Sequence, residues 1–118
     1  MDEDGVVGEA LEVVAIAEAS DDGSSFTEAE LSYALSKPDP ARRLAARLAA
    51  KRAAARILGE GVPLREIEVL RGPGGPPALR LGPRAEARRV ALGGGALLVS
   101  LTHGLTHAAA SVLLVRGA

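Results

Sequence analysis

The sequence predicts an α+β domain in which an antiparallel sheet packs on one long helix. Three observations support this prediction. A helical pattern without interruption covers residues 40–58, strand-like alternation begins at residue 66, and the later apolar segments are separated by turns rich in Gly and Pro. A chain of 118 residues suffices for one domain with a core of modest size. We therefore expect a single domain over residues 1–118, with a flexible acidic start at about 1–5.

The segment before the long helix contains one ambiguous element and one well-marked helix. The apolar residues at 6–17 suit a buried strand or a short helix equally well, and the Ser, Asp and Gly residues at 20–25 predict a loop. Thr27 and Glu30 have the spacing of a capping box, in which each side chain binds the other residue's backbone N–H. We expect this helix to end near Ser36.

The long helix is predicted from its two ends and from its periodicity. Asp39 suits the N-cap, Pro40 suits the first helical position, and Gly59 is typical of a helix stop. At about 100° per residue, the surface divides into two apolar stripes separated by two basic stripes. The apolar stripes are Leu44, Leu48 and Ala55, and Ala46, Ala50, Ala53 and Ile57; the basic stripes are Arg43, Arg47 and Lys51, and Arg42, Arg52 and Arg56. Two apolar stripes indicate a helix sandwiched between other elements.

The second half of the chain is predicted to be mainly extended. We expect strands at 66–70, 78–81, 96–101 and 108–115, a turn at 71–77, a short helix that opens at Gly82-Pro83 and ends near 93–95, and a hairpin connection at 102–106. Runs of strands joined in this way favour an antiparallel sheet.

Charge is distributed unevenly along the chain. Residues 1–39 carry eleven carboxylates and one lysine, whereas residues 40–118 carry thirteen Lys or Arg and four Glu. The net charge of −1 therefore hides a dipolar distribution that is able to steer an acidic partner or a phosphorylated ligand. An acidic arm that masks a basic face is the alternative interpretation.

Composition argues against several classes of function. The chain has no Cys, which excludes disulfides and thiolate metal sites, and its single Phe and single Tyr leave little aromatic surface for stacking on bases. Together with the acidic first third, this argues against a nucleic-acid partner. No apolar run is long enough to span a bilayer, and Asp2, Glu3 and Asp4 do not begin a signal peptide. We expect a cytoplasmic protein without a membrane partner.

Five short motifs follow one another along residues 7–115. They are Phe26-Thr27-x-x-Glu30-Leu31-x-Tyr33; a helical motif with Arg43, Leu44, Ala45, Ala46, Arg47, Ala50, Lys51 and Ala53; Gly59-Glu60-Gly61; the strand Glu66-Ile67-Glu68-Val69 before Gly75-Pro76-Pro77; and Val99-Ser100-Leu101-Thr102-His103. In this order they resemble the motifs of the holo-acyl-carrier-protein synthases, which are 4′-phosphopantetheinyl transferases. The resemblance implies that family's fold and its usual trimer, with the site at the subunit interface.

The resemblance also implies an activity and its participants. Members of this family transfer 4′-phosphopantetheine from coenzyme A to a serine of an acyl or peptidyl carrier protein, and a magnesium ion bridges the pyrophosphate. We therefore expect coenzyme A as the substrate and a carrier protein of fatty-acid or polyketide biosynthesis as the partner. By position in the motifs, the residues expected to bind coenzyme A or the carrier are Arg43, Arg47, Lys51, Gly75, Pro76 and His103.

The positions that carry the family's chemistry are substituted in this sequence. The family's first strand reads Gly-Ile-Asp-Ile-Val-Glu-Ile, and its Asp binds magnesium. One register places Glu9 at that Asp and Glu12 at the following Glu, whereas a register shifted by one places Ala10 at the Asp. The metal-binding Glu of the signature helix becomes Arg52, and the catalytic Lys becomes Arg56. The resemblance thus implies Glu9, Arg52 and Arg56 as the catalytic positions, with Glu9 as the candidate magnesium ligand.

Two functional interpretations stay open at the level of sequence. In the first, the protein is a working transferase in which Arg52 and Arg56 clamp the pyrophosphate in place of the metal, since arginine stabilises transferring phosphoryl groups. In the second, it is a pseudoenzyme that keeps the fold to bind a carrier protein or a carrier-bound substrate. The family's basic residue that grips the carrier protein falls at Ala15 in the Glu9 register.

Overall fold

Two antiparallel sheets flank one long helix. The structure is a computed structural model that describes residues 5–19, 23–71 and 75–117. Its elements, in chain order, are β1 (Val6–Ala15), α1 (Ile16–Ala19), α2 (Glu28–Leu35), α3 (Pro40–Leu58), β2 (Ile67–Arg71), β3 (Pro77–Leu81), α4 (Pro83–Ala91), β4 (Gly94–His103) and β5 (His107–Arg116). The predicted α+β class is confirmed. Residues 1–4 of the expected flexible start, residues 20–22 of the loop and residues 72–74 of the turn lie outside the described residues.

Helix α3 organises the core. Its apolar residues are buried on both sides: those of its first half pack with Val14 and Phe26, and those of its last turns pack with Ile67 and Val112. The prediction of a sandwiched helix is therefore confirmed. Burial is achieved largely by alanine, which lets neighbouring elements approach the helix axis closely.

The two ends of α3 differ in how well they match the sequence prediction. Gly59 ends the helix with a φ of 109°, a backbone region that favours glycine. Asp39 occupies the N-cap position, but its side chain makes no capping bond. Its carboxylate instead pairs with the side chain of Arg43, with an Nε–Oδ1 distance of 3.1 Å. The predicted capping role of Asp39 is wrong, because Arg43 binds the carboxylate instead.

The larger sheet has three strands in the order β1-β5-β4, and the smaller sheet is the hairpin β2-β3. β4 and β5 form a hairpin in which Gly104 N–H donates to the carbonyl oxygen of His107 at 2.8 Å. The ambiguous segment at 6–17 is a strand that leads into α1. The capping box of Thr27 and Glu30 is present in both directions, which confirms the predicted start of α2.

The outer face of the three-stranded sheet is apolar and exposed. Leu11 and Val13 on β1 are 62% and 57% exposed, and Leu98 on β4 is 52% exposed. Leu98 pairs across the sheet with Leu113 of β5, and Val13 pairs with Ala109. These five residues (the outer sheet face) point away from α3. Among the residues that the structure describes, no helix is long and apolar enough to cross a membrane.

Candidate active site

The direction of the side chains on β1 decides which carboxylate faces helix α3. Residues at even positions of this strand point to the helix: a side chain at Gly8 would lie 3.0 Å from Ile57, and Ala10 packs in the cluster around Ile57. Glu12 continues this row, whereas Glu9 belongs to the alternate row that is exposed to solvent. Strand alternation therefore separates Glu9 and Glu12 onto opposite faces of the sheet.

Two ion pairs connect α3 with the first strand and the helix after it. Arg56 Nη1 lies 2.6 Å from Glu12 Oε2 and also donates to the carbonyl oxygen of Leu11 at 3.2 Å. One turn earlier, Arg52 Nη1 lies 3.4 Å from Glu18 Oε2. We call Glu12, Glu18, Arg52 and Arg56 the arginine–glutamate cluster. All four side chains keep partial access to solvent, so a phosphorylated ligand is able to reach the two guanidinium groups.

The structure pairs the two predicted arginines with Glu18 and Glu12. Arg52 and Arg56 lie on one face of α3, as expected, but Glu9 is not beside Arg52. Glu9 and Arg56 line one open hollow of about 510 Å³, together with Leu11, Ser111 and Leu113. The alternative residue at that position, Ala10, is partly buried and lines the same hollow.

A second, basic hollow lies near the start of α3. It has a volume of about 260 Å³ and is lined by Arg43, Ala46, Arg47, Arg71, Leu101, Thr102 and His103. Three of the predicted ligand-binding residues, Arg43, Arg47 and His103, therefore meet in one place. Arg71 was not predicted, because it precedes the Gly-Pro turn in the sequence and only the packing of β2 beside α3 brings it to the hollow. The predicted residues Gly75 and Pro76 lead into β3, next to the pairing of Arg71 with Pro77.

Arg47 is the unusual member of this basic hollow. It is only 2% exposed, and none of the described carboxylates forms an ion pair with it. Its Nε meets no acceptor, one Nη donates weakly to the carbonyl oxygen of Arg43 at 3.4 Å, and the guanidinium lies 4.2 Å from the centre of the Tyr33 ring. Burial lowers the pKa of the Arg47 guanidinium below its usual range. A buried cation without a carboxylate is costly, which indicates a place for an anion.

Lys51, the third predicted member of the Arg43 stripe, does not reach the basic hollow. It is fully buried, and its Nζ lies 2.6 Å from Glu30 Oε1. The other oxygen of Glu30 accepts the backbone N–H of Val69 at 2.8 Å. Burial lowers the pKa of Lys51, and the Glu30 carboxylate opposes that change. In this structure Lys51 joins α2, α3 and β2, so its role is in the core.

The donor set of the arginine–glutamate cluster does not fit a magnesium ion. Magnesium requires oxygen ligands, and a guanidinium group has no lone pair to offer. The carboxylates of Glu12 and Glu18 are each held by an arginine. In the described part of the chain, no three Asp, Glu or His side chains lie close enough together to hold a metal ion.

Comparison with solved structures defines the class of protein. The fold matches acyl carrier protein synthase of Mycobacterium tuberculosis with a TM-score of 0.74 and 34% identity, over 96% of this chain and 100% of that one. It also matches the synthase of Chronobacterium ammoniagenes in complex with coenzyme A, with a TM-score of 0.80 and 25% identity, over 94% and 98% of the two chains. The architecture is that of an acyl carrier protein synthase.

Comparison with known sequences places the chain in a family. It is 41% identical over 92 residues to the holo-[acyl-carrier-protein] synthase of Moorella thermoacetica. The aligned region covers 75% of this chain and 72% of that protein. It is 45% identical over 89 residues to the synthase of Thermus thermophilus, over 75% and 70% of the two chains. No protein-family model matches the chain. The chain belongs to the holo-[acyl-carrier-protein] synthase family.

Proposed function

We propose that the protein transfers 4′-phosphopantetheine from coenzyme A to a serine of an acyl carrier protein. The names of its relatives and the coenzyme A complex of the Chronobacterium protein support this proposal. The observation in this chain that carries it is the basic hollow, where Arg47 is buried and forms no ion pair with a carboxylate of the described residues. Coenzyme A is rich in phosphate, and a phosphate group supplies the anion that such a buried guanidinium lacks.

The basic hollow suits the 3′-phosphate group of coenzyme A better than the whole molecule. Its volume of about 260 Å³ lies just below the ~300–1,000 Å³ that is typical of pockets for complete ligands. We therefore assign binding of the 3′-phosphate to Arg43, Arg47, Arg71 and His103.

We place the family's Asp position at Glu12. Residues 10–16 read Ala-Leu-Glu-Val-Val-Ala-Ile, which matches the pattern Gly-Ile-Asp-Ile-Val-Glu-Ile closely and sets Glu12 at the Asp. The inward direction of Glu12 and its pairing with Arg56 support this register. The same shift moves the family's carrier-gripping residue from Ala15 to Glu18, the partner of Arg52. The arginine–glutamate cluster then occupies the family's transfer site.

The transfer step follows from the chemistry of the two substrates. The serine Oγ forms a bond to the phosphorus atom that carries pantetheine, and the bond from that phosphorus to the bridging oxygen breaks. The bridging oxygen leaves on adenosine 3′,5′-bisphosphate. The serine proton passes to a carboxylate, a role that we assign to Glu12. Arg52 and Arg56 neutralise the charge that develops on the transferred and leaving groups.

We propose a trimer whose subunits bury the outer sheet face. Exposed Leu11, Val13 and Leu98 on one sheet face form the kind of apolar patch that marks an interface. Arg56 lines the hollow that opens beside Leu11, so a neighbouring subunit on this face would lie next to the transfer site. The cytoplasmic location and the choice between fatty-acid and polyketide carriers stay predictions.

The proposed function is tested by intact-mass spectrometry of apo carrier proteins incubated with this protein and coenzyme A. A mass gain of one phosphopantetheine group is expected on the carrier serine. Calorimetric titration with coenzyme A and with 3′-dephospho-coenzyme A measures whether the 3′-phosphate contributes to binding. If coenzyme A does not bind and no carrier gains mass, the proposal is wrong. Binding of a carrier protein alone would favour the pseudoenzyme interpretation.

A further inference from the structure

We propose that Arg52 and Arg56 replace the divalent cation in this protein, so that it binds coenzyme A and transfers phosphopantetheine without magnesium. This inference rests on the proposed function and deepens it. The resemblance implies a site in which an Asp, a Glu and a magnesium ion surround the pyrophosphate. The structure instead contains two carboxylates and two guanidinium groups in the arginine–glutamate cluster.

The charges of the two arrangements are equivalent. Two guanidinium groups cancel the charges of Glu12 and Glu18, as a magnesium ion would cancel the charges of two carboxylate ligands. The formal charges of these four side chains therefore sum to zero without any metal. Adding a divalent cation would place two further positive charges within a few ångströms of Arg52 and Arg56, which is unfavourable at a partly buried site.

Coordination chemistry points the same way. Magnesium takes oxygen ligands at about 2.0–2.1 Å in near-octahedral geometry. Glu12 Oε2 already lies 2.6 Å from Arg56 Nη1, and the position of the family's second ligand is a guanidinium. Glu18 is likewise paired with Arg52, so a magnesium ion could gain either carboxylate of the cluster only by displacing a guanidinium group.

Arginine is able to supply the missing function. Its guanidinium is planar, always charged and suited to bidentate contact with phosphate oxygens. Arg52 and Arg56 lie one turn apart on the same face of α3, so both reach one pyrophosphate group. Their ion pairs with Glu18 and Glu12 are partly exposed and therefore weak, and they are able to exchange for the pyrophosphate.

This exchange would also release the base. When Arg56 moves from Glu12 to the pyrophosphate, the Glu12 carboxylate becomes available to the serine hydroxyl. The bonds that form and break are those of the proposed transfer, and the serine proton still passes to Glu12. The proposed mechanism differs from the family's in the source of the positive charge, which is the two guanidinium groups in place of a magnesium ion.

The test compares magnesium with chelator in two assays on the full chain. The transfer rate by intact mass and the Kd for coenzyme A by calorimetry are expected to agree within about twofold between the two conditions, since no metal-stabilised charge is involved. Mn²⁺ titrated into the coenzyme A complex is expected to show only the free-ion signal in electron paramagnetic resonance. Stoichiometric Mn²⁺ binding, or transfer that requires magnesium, would overturn the inference and leave the proposed function intact.

Substitutions separate the roles of the two arginines from effects on folding. Arg52→Met and Arg56→Met are each expected to lower the transfer rate about a hundredfold or more. Removal of one hydrogen-bond donor that stabilises transition-state charge has an effect of this size in other enzymes. Arg52→Glu restores the family's carboxylate. Any transfer activity that this variant retains is expected to require magnesium, and the variant is expected to bind Mn²⁺ in the titration. The matched control is Arg84→Glu, which makes the same charge change at an exposed position of α4 and should leave both assays unchanged.

Each remaining outcome has a defined meaning. Arginine variants that fold, as judged by thermal melting, and transfer at the unmodified rate would overturn the inference. Absence of both transfer and coenzyme A binding, with or without magnesium, would instead show that the proposed function itself is wrong. In that case Mn²⁺ is titrated into the protein alone, and stoichiometric binding would overturn the inference.

Discussion

Lys51 of α3 and Glu30 of α2 form a fully buried ion pair, with 2.6 Å between Nζ and Oε1. Both oxygens of Glu30 are engaged, because Oε1 also accepts the Thr27 N–H at 2.9 Å and Oε2 accepts the Val69 N–H at 2.8 Å. The pair therefore joins the start of α2 to the middle of α3 and to β2.

Loss of the lysine should destabilise the fold strongly. Lys51→Met leaves the Glu30 carboxylate buried without its cation, and we expect the free energy of unfolding in urea to fall by about 3–5 kcal/mol. Adding Glu30→Gln should recover part of the loss, because the amide oxygen still accepts a backbone N–H and carries no charge. Lys37→Met, at the chain's other lysine, is the control and should cost less than about 1 kcal/mol. Losses that simply add in the double variant would show that the two side chains are not coupled.

Acid should destabilise the protein in part through Glu68. The hydroxyl of Thr27, 2.5 Å from Glu68 Oε2, and the guanidinium of Arg80 hold the pKa of Glu68 below its usual range. Because the folded pKa lies below the unfolded value of about 4.3, this stabilisation is complete above that pH and is lost as the pH falls through the folded pKa.

The measurement is the free energy of unfolding as a function of pH for the unmodified protein and for Glu68→Gln. We expect the variant to be less stable at pH 7 and to lose less stability than the unmodified protein when the pH is lowered. Glu60→Gln, at an exposed residue after α3, is the control. Parallel curves for Glu68→Gln and the unmodified protein would contradict the prediction.

Arg47→Met should weaken coenzyme A binding and stabilise the unliganded fold. The substitution removes a buried cation that pairs with no carboxylate in the part of the chain that the structure describes, so we expect a higher melting temperature. It also removes a charged hydrogen-bond donor from the basic hollow, so the Kd for coenzyme A should rise about 10-fold to 100-fold. Arg47→Lys should not restore the affinity, since it lacks the planar group that stacks on Tyr33. Calorimetry measures the Kd and thermal melting measures the stability, with Arg84→Met as the control. If Arg47→Met is less stable than the unmodified protein but binds coenzyme A normally, the role of Arg47 is to stabilise the core.

Local interactions explain why much of the fold could be predicted from the sequence. The capping box of Thr27 and Glu30 lies within four residues, and it was both predicted and found. The ends of α3 are likewise marked by residues at 40 and 59, and the ordered motifs correctly indicated the holo-[acyl-carrier-protein] synthase family. These signals depend little on the rest of the chain.

Long-range contacts explain what could not be predicted. Glu30 and Lys51 are 21 residues apart, and only the packing of α2 on α3 turns a member of a basic stripe into half of a buried ion pair. The strand β1 was ambiguous because Leu11 and Val13 make its outer row as apolar as its inner row. For the same reason, alternation alone did not show that Glu12, and not Glu9, forms the ion pair with Arg56.

A charge on the outer sheet face should prevent assembly. Leu98 is about half exposed in the single chain and pairs across the sheet with Leu113, so Leu98→Lys would place an ammonium in the middle of the proposed interface. Burying that charge without a partner costs more than an interface residue contributes, and we expect light scattering to report one subunit instead of three. The transfer rate should fall when assembly is lost, because the hollow beside Arg56 would lose its neighbouring subunit.

Leu35→Lys on α2 introduces the same charge at an exposed leucine away from this face and should leave the trimer intact. If the unmodified protein is already a monomer that transfers phosphopantetheine, the site is complete within one subunit and the interface proposal is wrong.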